Sequence, residues 1–218
     1  MSDERGANDL QTGTIVVAGT GRVSVKPDLA DLRLGVSVAR PTVAAARTVA
    51  AEAMEAILAA VHAAGVEPRD VRTTLLSVQP RYDYRENQPP ALTGHELSNV
   101  VEVTVRDLSR LGEVVDATLQ AGAASLDGLS FRLADPAPAE REARTRAMAE
   151  ARARADVLAE AAGLVIVGVS DIVEGGTLLP PTPLMKAERM LSAANAGTPV
   201  EAGSLEISVT VTVTYRAR

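Results

Sequence analysis

Seven stretches of the chain carry the period-two alternation or β-branched density of strands with one buried face. The clearest closes the chain. Leu205, Ile207, Val209, Val211, Val213 and Tyr215 alternate strictly with Glu206, Ser208, Thr210, Thr212, Thr214 and Arg216. Its polar side is Thr-rich rather than charged, which suits contact with a neighbouring layer or subunit. Residues 14–25 and 30–38 read as two strands around Lys26-Pro27-Asp28, and that turn chemistry predicts a hairpin between them. Further strands are predicted at 71–81, 97–106, 126–133 and 165–173.

Three segments change to helical periodicity. From Pro41 to Ala64, the polar residues Thr48, Glu52, Glu55 and His62 form one solvated stripe, with Val43, Val49, Ala53, Ile57, Ala60 and Val61 on the other faces; Gly65 stops the helix. Residues 108–121 form a second helix, closed by Gly122. Residues 138–162 form the third, with Ala143, Ala147, Ala151, Ala155 and Leu158 as an apolar seam and Glu142–Arg146 and Glu150–Arg154 as i,i+4 pairs. Small residues line all three seams, so close helix packing is expected. The order β-β-α-β-β-α-β-α-β-β predicts an α+β fold, a largely antiparallel β-sheet with Ala-rich helices packed mainly on one face. Residues 1–12 read as a polar, disordered tail and 13–216 as a single domain. Within that domain, 175–203 is an irregular insert holding Pro180, Pro181, Pro183 and Pro199.

Composition narrows the chemistry. The 218 residues contain no cysteine, which removes disulfides, thiolate metal sites and cysteine nucleophiles. A net charge of −6 argues against a nucleic-acid binder, whose affinity rests on neutralising phosphates. One Phe, three Tyr and no Trp leave little for base or sugar stacking. No stretch is apolar enough to span a membrane, and the first residues hold no h-region, so the chain is expected in the cytoplasm, or in the periplasm or outside if a leader has been trimmed.

Few residues offer chemistry. Gly19-Thr20-Gly21 begins like a dinucleotide loop, but Ser24 stands where a third glycine belongs and a strand follows, so a glycine-relaxed strand is the better reading. His62 falls on the solvated stripe. His95 beside Glu96 is the one candidate His–carboxylate pair for general-base work, without a nucleophile placed by any motif. Tyr82 and Tyr84, between Arg81 and Arg85, suit either an interface or a cover for the sheet edge. Leu184, Met185, Met190 and Leu191 in the insert suit contact with a partner or second subunit, or packing over the chain's own sheet. The arginines of 141–154 are interleaved with carboxylates, a salt-bridge helix rather than a phosphate track.

One ordered set of residues carries a resemblance. It runs from Gly19-Thr20-Gly21, Val23, Val25, Pro27-Asp28 and Ala30 through Gly65, Asp70, Thr73 and Pro80-Arg81-Tyr82-Asp83-Tyr84. Thr93-Gly94, Asn99, Val105-Arg106-Asp107-Leu108 and Leu111-Gly112 continue it. Glu142-Ala143, Ala147, Ala151, Leu158-Ala159, Gly163 and Gly203 complete it. Together they resemble the SIMPL-domain family, long catalogued as a domain of unknown function, over roughly residues 13 to 215. The family includes bacterial proteins linked to oxidative-stress defence, a periplasmic immunogenic antigen and an animal protein that binds a signalling kinase. The resemblance implies an α+β domain that self-associates into ring- or channel-like assemblies, without an established enzymatic activity, cofactor or catalytic residue. Two departures stand out: no signal peptide begins this chain, and His95 follows Thr93-Gly94 where the family leads one to expect Tyr. The expected function is therefore a non-enzymatic, homo-oligomeric protein with a role in stress protection. The alternative is a binding module for a small apolar ligand or client protein, with 175–203 as lid.

Overall fold

The computed structural model describes residues 13–85, 89–175 and 198–218, and the backbone of 182–184. In chain order the elements are β1 (Gly13–Val25), β2 (Leu29–Arg40), α1 (Val43–Ala63), β3 (Val71–Asp83), β4 (Ala91–Val105), α2 (Leu111–Gln120), β5 (Ser125–Arg132), α3 (Ala137–Ala161), β6 (Ile166–Gly175), β7 (Thr182–Leu184) and β8 (Ser204–Ala217). The protein has an α+β fold with antiparallel sheets. Its strands form two sheets in two compact units, the first drawn from the described parts of Met1–Lys26, Asp135–Met185 and Ser204–Arg218, the second from those of Pro27–Ala134 and Lys186–Gly203.

In the first unit β8 is central, paired along one edge with β1 and along the other with β6 and β7. The alternation legible in the sequence is realised fully: Leu205, Ile207, Val209, Val211, Val213, Tyr215 and Ala217 are buried, and the threonines face the other way. Helix α3 lies on β1 and β8. It buries Ala139, Ala143, Ala147, Ala151, Ala155 and Ala159, one residue per turn. Leu158 does not belong to this seam; it is exposed, and Ala159 takes its place. The close packing expected of the small-residue seam is made by α3 against the sheet. Gly19 and Gly21 of β1 meet the alanine stripe so closely that a Cβ on either would overlap the helix backbone. Arg152 crowns the contact, 5.8 Å above the ring of Tyr215.

The second unit carries a sheet in the order β3-β4-β2-β5. Central β2 buries Leu32, Leu34, Val36 and Val38 against α1, whose Ala46, Ala50, Met54, Ile57 and Val61 form the facing stripe. Thr42 caps α1, its side chain accepting from the Ala45 amide, and Gly65 closes it at φ +91°. Helix α2 packs on α1 and is shorter than the 108–121 expected, because a 3₁₀ turn takes up Leu108–Arg110. The stretch 198–203 returns to α2: Thr198 donates to Asp116 through its amide and hydroxyl, and its carbonyl sits where a side chain on Gly112 would fall.

The predicted hairpin of β1 with β2 does not form. β1 pairs with β8, whereas β2 uses both edges, for β4 and β5. Asp28 explains the outcome: its amide donates to the Arg132 carbonyl and its carboxylate accepts from the Ala134 amide. The linker is thus tied to the end of β5 instead of closing a two-strand turn. The 175–203 segment is not wholly irregular either, since 182–184 pair with β8. The remainder of that insert, and the expected tail over 1–12, lie outside the described residues.

Candidate functional site

His95 and Glu96 are neighbours on β4, and successive strand residues point to opposite faces. His95 shares the face of buried Leu97, opposite Arg40 and Pro80. Glu96 points the other way, accepts a 2.6 Å hydrogen bond from the Ser37 hydroxyl and lies 3.9 Å from Arg81. The strand therefore separates the two groups that general-base work would need together. Ser77 and Ser98 face each other across the pairing on the Glu96 side, so neither hydroxyl addresses the imidazole. His62 is exposed on α1, its Nδ1 2.9 Å from the Val66 carbonyl oxygen, where it braces the helix end.

Tyr82 and Tyr84 do come together, with ring centroids 6.4 Å apart and planes at 57°. They stand towards the tip of the β3–β4 hairpin, in a patch that extends beyond the two rings. Among the described residues β3 is an edge strand paired to β4 alone, and α1 lies over β2 and β4. Leu76 and Val78, on the α1 side of the sheet, consequently remain 67% and 42% exposed; Leu75 on the opposite side and Leu92 beside Tyr82 are exposed as well. An edge strand with apolar residues open on both faces is an invitation to another surface. The leucines were missed because 71–81 reads as an ordinary half-buried strand, and its position at the sheet edge is not written in its own residues. Leu184 lies in β7, and its side chain, with Met185, Met190 and Leu191, is outside the described residues.

A polar cleft of about 230 Å³ lies at the far end of the second unit, lined by Gly65, Glu67, Asp70, Thr104, Arg106, Asp107 and Arg110 among others. Four of these, Gly65, Asp70, Arg106 and Asp107, belong to the ordered set that carried the family resemblance. Arg106 grips Asp70 with two bonds of 2.8 and 2.6 Å. That contact holds the Asp70 carboxyl below the ordinary carboxylate range against the opposing effect of burial. Asp107 caps the following 3₁₀ turn through Ser109. On the same sheet, Asp31 is bound by Arg132 at 2.6 Å and by the Thr104 hydroxyl at 2.7 Å. Burial pushes its pKa up, but the bonds from Arg132 and Thr104 and the arginine charges outweigh it, and the net shift is downward. Every one of these polar groups is spoken for by a neighbour, the mark of a structural joint. Both aspartates add stability when ionised, present above roughly pH 4 and lost as pH falls through their lowered values. Urea unfolding across pH 5 to 2 should therefore show falling stability, with Asp31→Asn costing about 1 kcal/mol at pH 7 and flattening the slope. An unchanged slope in both D31N and D70N would contradict this.

Among the described residues there is no group of three or more His, Asp and Glu placed to hold a metal, and no helix long and apolar enough to cross a membrane. The fold defines an α+β protein of two antiparallel-sheet units, one of which exposes an apolar hairpin. The chain belongs to the SIMPL family, described as a protein of unknown function (DUF541), whose model matches residues 15–215. It is 34% identical to the 26 kDa periplasmic immunogenic protein of Brucella melitensis biotype 1, over 95% of this chain and 86% of that protein. The protein of the same name from Brucella abortus matches equally. The uncharacterized protein YggE of Escherichia coli K12 is 32% identical over 65% of this chain and 58% of its own length. The expectation of a cytoplasmic chain is overturned by these comparisons, because the relatives matching over nearly its full length are periplasmic proteins by name. A leader is cleaved from a mature chain, so a polar first decade says nothing of the compartment.

Proposed function

We propose that this is a periplasmic protein that works by self-association, with the outer edge of the β3–β4 hairpin as its contact between copies. One SIMPL domain comprises both units, a reading supported by a family match that runs through both. The observation that carries the assembly is the exposure of Leu75, Leu76, Val78, Tyr82, Tyr84 and Leu92 on a single hairpin whose edge strand, among the described residues, pairs only inward. A second copy lying antiparallel along β3 would bury both faces at once and close the edge by two-fold symmetry. The protein acts without catalysis in this reading. Any part in stress protection comes from the assembled surface, since a chain without cysteine has no thiol to cycle.

Sedimentation of the purified protein tests the proposal. The wild type should run above its single-chain mass of 22.7 kDa at micromolar concentration. Leu76→Glu combined with Val78→Glu should weaken association at least tenfold while leaving the circular dichroism spectrum unchanged, because both positions are exposed in the single chain. A wild type that stays at single-chain mass in any salt would overturn the reading, as would a double variant that assembles like the wild type.

A second reading, a binding module for a small apolar ligand or client, draws support from an open groove of about 570 Å³ in the first unit. Val17, Ala18, Ala153, Val157 and Leu158 line it, with Glu150 and Arg154 at its rim. Tight binding of an apolar dye by a single-chain species, lost on Leu158→Asp, would favour this reading over assembly.

A further inference from the structure

The first unit presents an edge strand of its own, and it is treated quite differently from β3. Among the described residues β1 pairs with β8 on one side only. In an antiparallel pair, alternate residues turn their N–H and C=O groups away from the partner, and on a bare edge those groups template a further strand. On β1 the outward residues run from Thr14 to Ser24, and in the middle of that run side chains of α3 meet one backbone group each of Ala18, Thr20 and Arg22. Arg154 donates to the Ala18 carbonyl at 2.8 Å, Glu150 accepts from the Thr20 amide at 2.5 Å, and Arg146 donates to the Arg22 carbonyl at 2.6 Å.

The two spacings match. Helix residues four apart rise about 6 Å, and strand residues two apart advance about 6.8 Å, so one side chain per helical turn meets one outward peptide group per strand repeat. Donor, acceptor, donor on the helix faces acceptor, donor, acceptor on the strand, so each group met finds the partner type a neighbouring strand would offer it. Salt bridges along the helix hold the row in line: Arg154 to Glu150 at 2.6 Å and Arg146 to Glu142 at 2.5 Å. Gly19 and Gly21 let α3 come near enough to reach. The Thr20 amide and then Arg154 keep Glu150 charged, with its pKa below the ordinary glutamate range.

The structure assigns to Arg146, Glu150 and Arg154 a common role: a row of side chains that stands in for a strand along Ala18–Arg22 and blocks that stretch of the β1 edge against strand addition by a second copy of the chain. The i,i+4 spacing of the pairs fits an exposed salt-bridged helix equally well, and only the placement of β1 reveals the second use. The inference stands independently of the hairpin contact proposed above.

Hydrogen exchange resolved at single amides tests it, in full-length protein carrying L76E and V78E so that hairpin contacts are absent. The Thr20 amide should exchange at least tenfold faster in the R146A/E150A/R154A variant than in the parent. The Gly19 amide, on the β8 side, should stay slow in both. At rising concentration the variant should form larger species in the ultracentrifuge, and the Thr20 amide should become protected again. E150A alone provides the same exchange comparison where the triple variant does not fold. Equal Thr20 exchange in parent and variant, or a folded triple variant that keeps the parent's mass throughout, overturns the assignment.

Discussion

Gly21→Ala is expected to destabilise the first unit by about 3 kcal/mol, near the upper end for overpacked sites. The added Cβ would lie 1.8 Å from the Ala143 carbonyl oxygen and 2.6 Å from the Ala147 amide nitrogen. Both obstacles are helix backbone, which has no rotamer to change. Relief requires α3 to lift off β1, and lifting it breaks the alanine contacts above and below. Gly19→Ala meets Ala147 and Ala151 in the same way, at 2.1 and 2.5 Å. For a chain of this length such a loss corresponds to a fall in melting midpoint of about 6–12 °C. Gly128→Ala in β5 is the control, because a Cβ there meets nothing within 4 Å. Equal melting midpoints for G21A and G128A would show that α3 does not press on β1 as described.

Leu32→Ala should have an effect of similar size in the second unit, about 3 kcal/mol from lost transfer energy and an unfilled cavity. Leu32 is wholly buried on central β2, opposite Val103 of β4 and Leu129 of β5. With strands on both sides and a helix above, the site has little freedom to collapse. The urea midpoint should fall while the slope of the transition stays constant, the signature of changed stability without a changed unfolded state. Ile57→Val on the facing helix removes one methylene and should cost about 1 kcal/mol. A Leu32→Ala midpoint no lower than that of Ile57→Val would place the core elsewhere.

Local pattern carried most of the elements, and long-range partnership carried almost none. The alternation in 205–215 and the alanines at every fourth position in α3 were readable because each records, within one element, which side is buried. The Gly19-Thr20-Gly21 segment is readable as strand, yet the reason for its glycines lies far along the chain at Ala143, Ala147 and Ala151, in the helix that rests on them. The hairpin of β1 with β2 was misread because proximity and a turn residue are the only evidence a sequence offers for pairing, and Asp28 spends its bonds on the end of β5. His95 and Glu96 were grouped because they are adjacent, although a strand sends adjacent residues to opposite faces. Tyr82 and Tyr84 were found as aromatics, whereas Leu75 and Leu76 needed the strand order to be seen as open. The polar cleft was present in the sequence as scattered matches at Gly65, Asp70 and Arg106-Asp107, with nothing to say that they converge.

The position of β8 has a consequence for how the protein comes into being. Among the described residues, the strands of the second sheet lie between Leu29 and Asp83 and between Ala91 and Arg132, so that sheet can pair without the C-terminal part of the chain. The first sheet cannot: its β1 must wait for a partner that touches it at Thr20 and Thr210, 190 residues later. Closing so long a loop before any contact rewards it makes this the slow step. Until β8 arrives, the apolar face of β1 has no sheet to join. A folding chain therefore passes through a stage in which the second sheet is paired while β1 is a vulnerable strand, and chaperone dependence should be read in residues 13–25 rather than in the strands already paired.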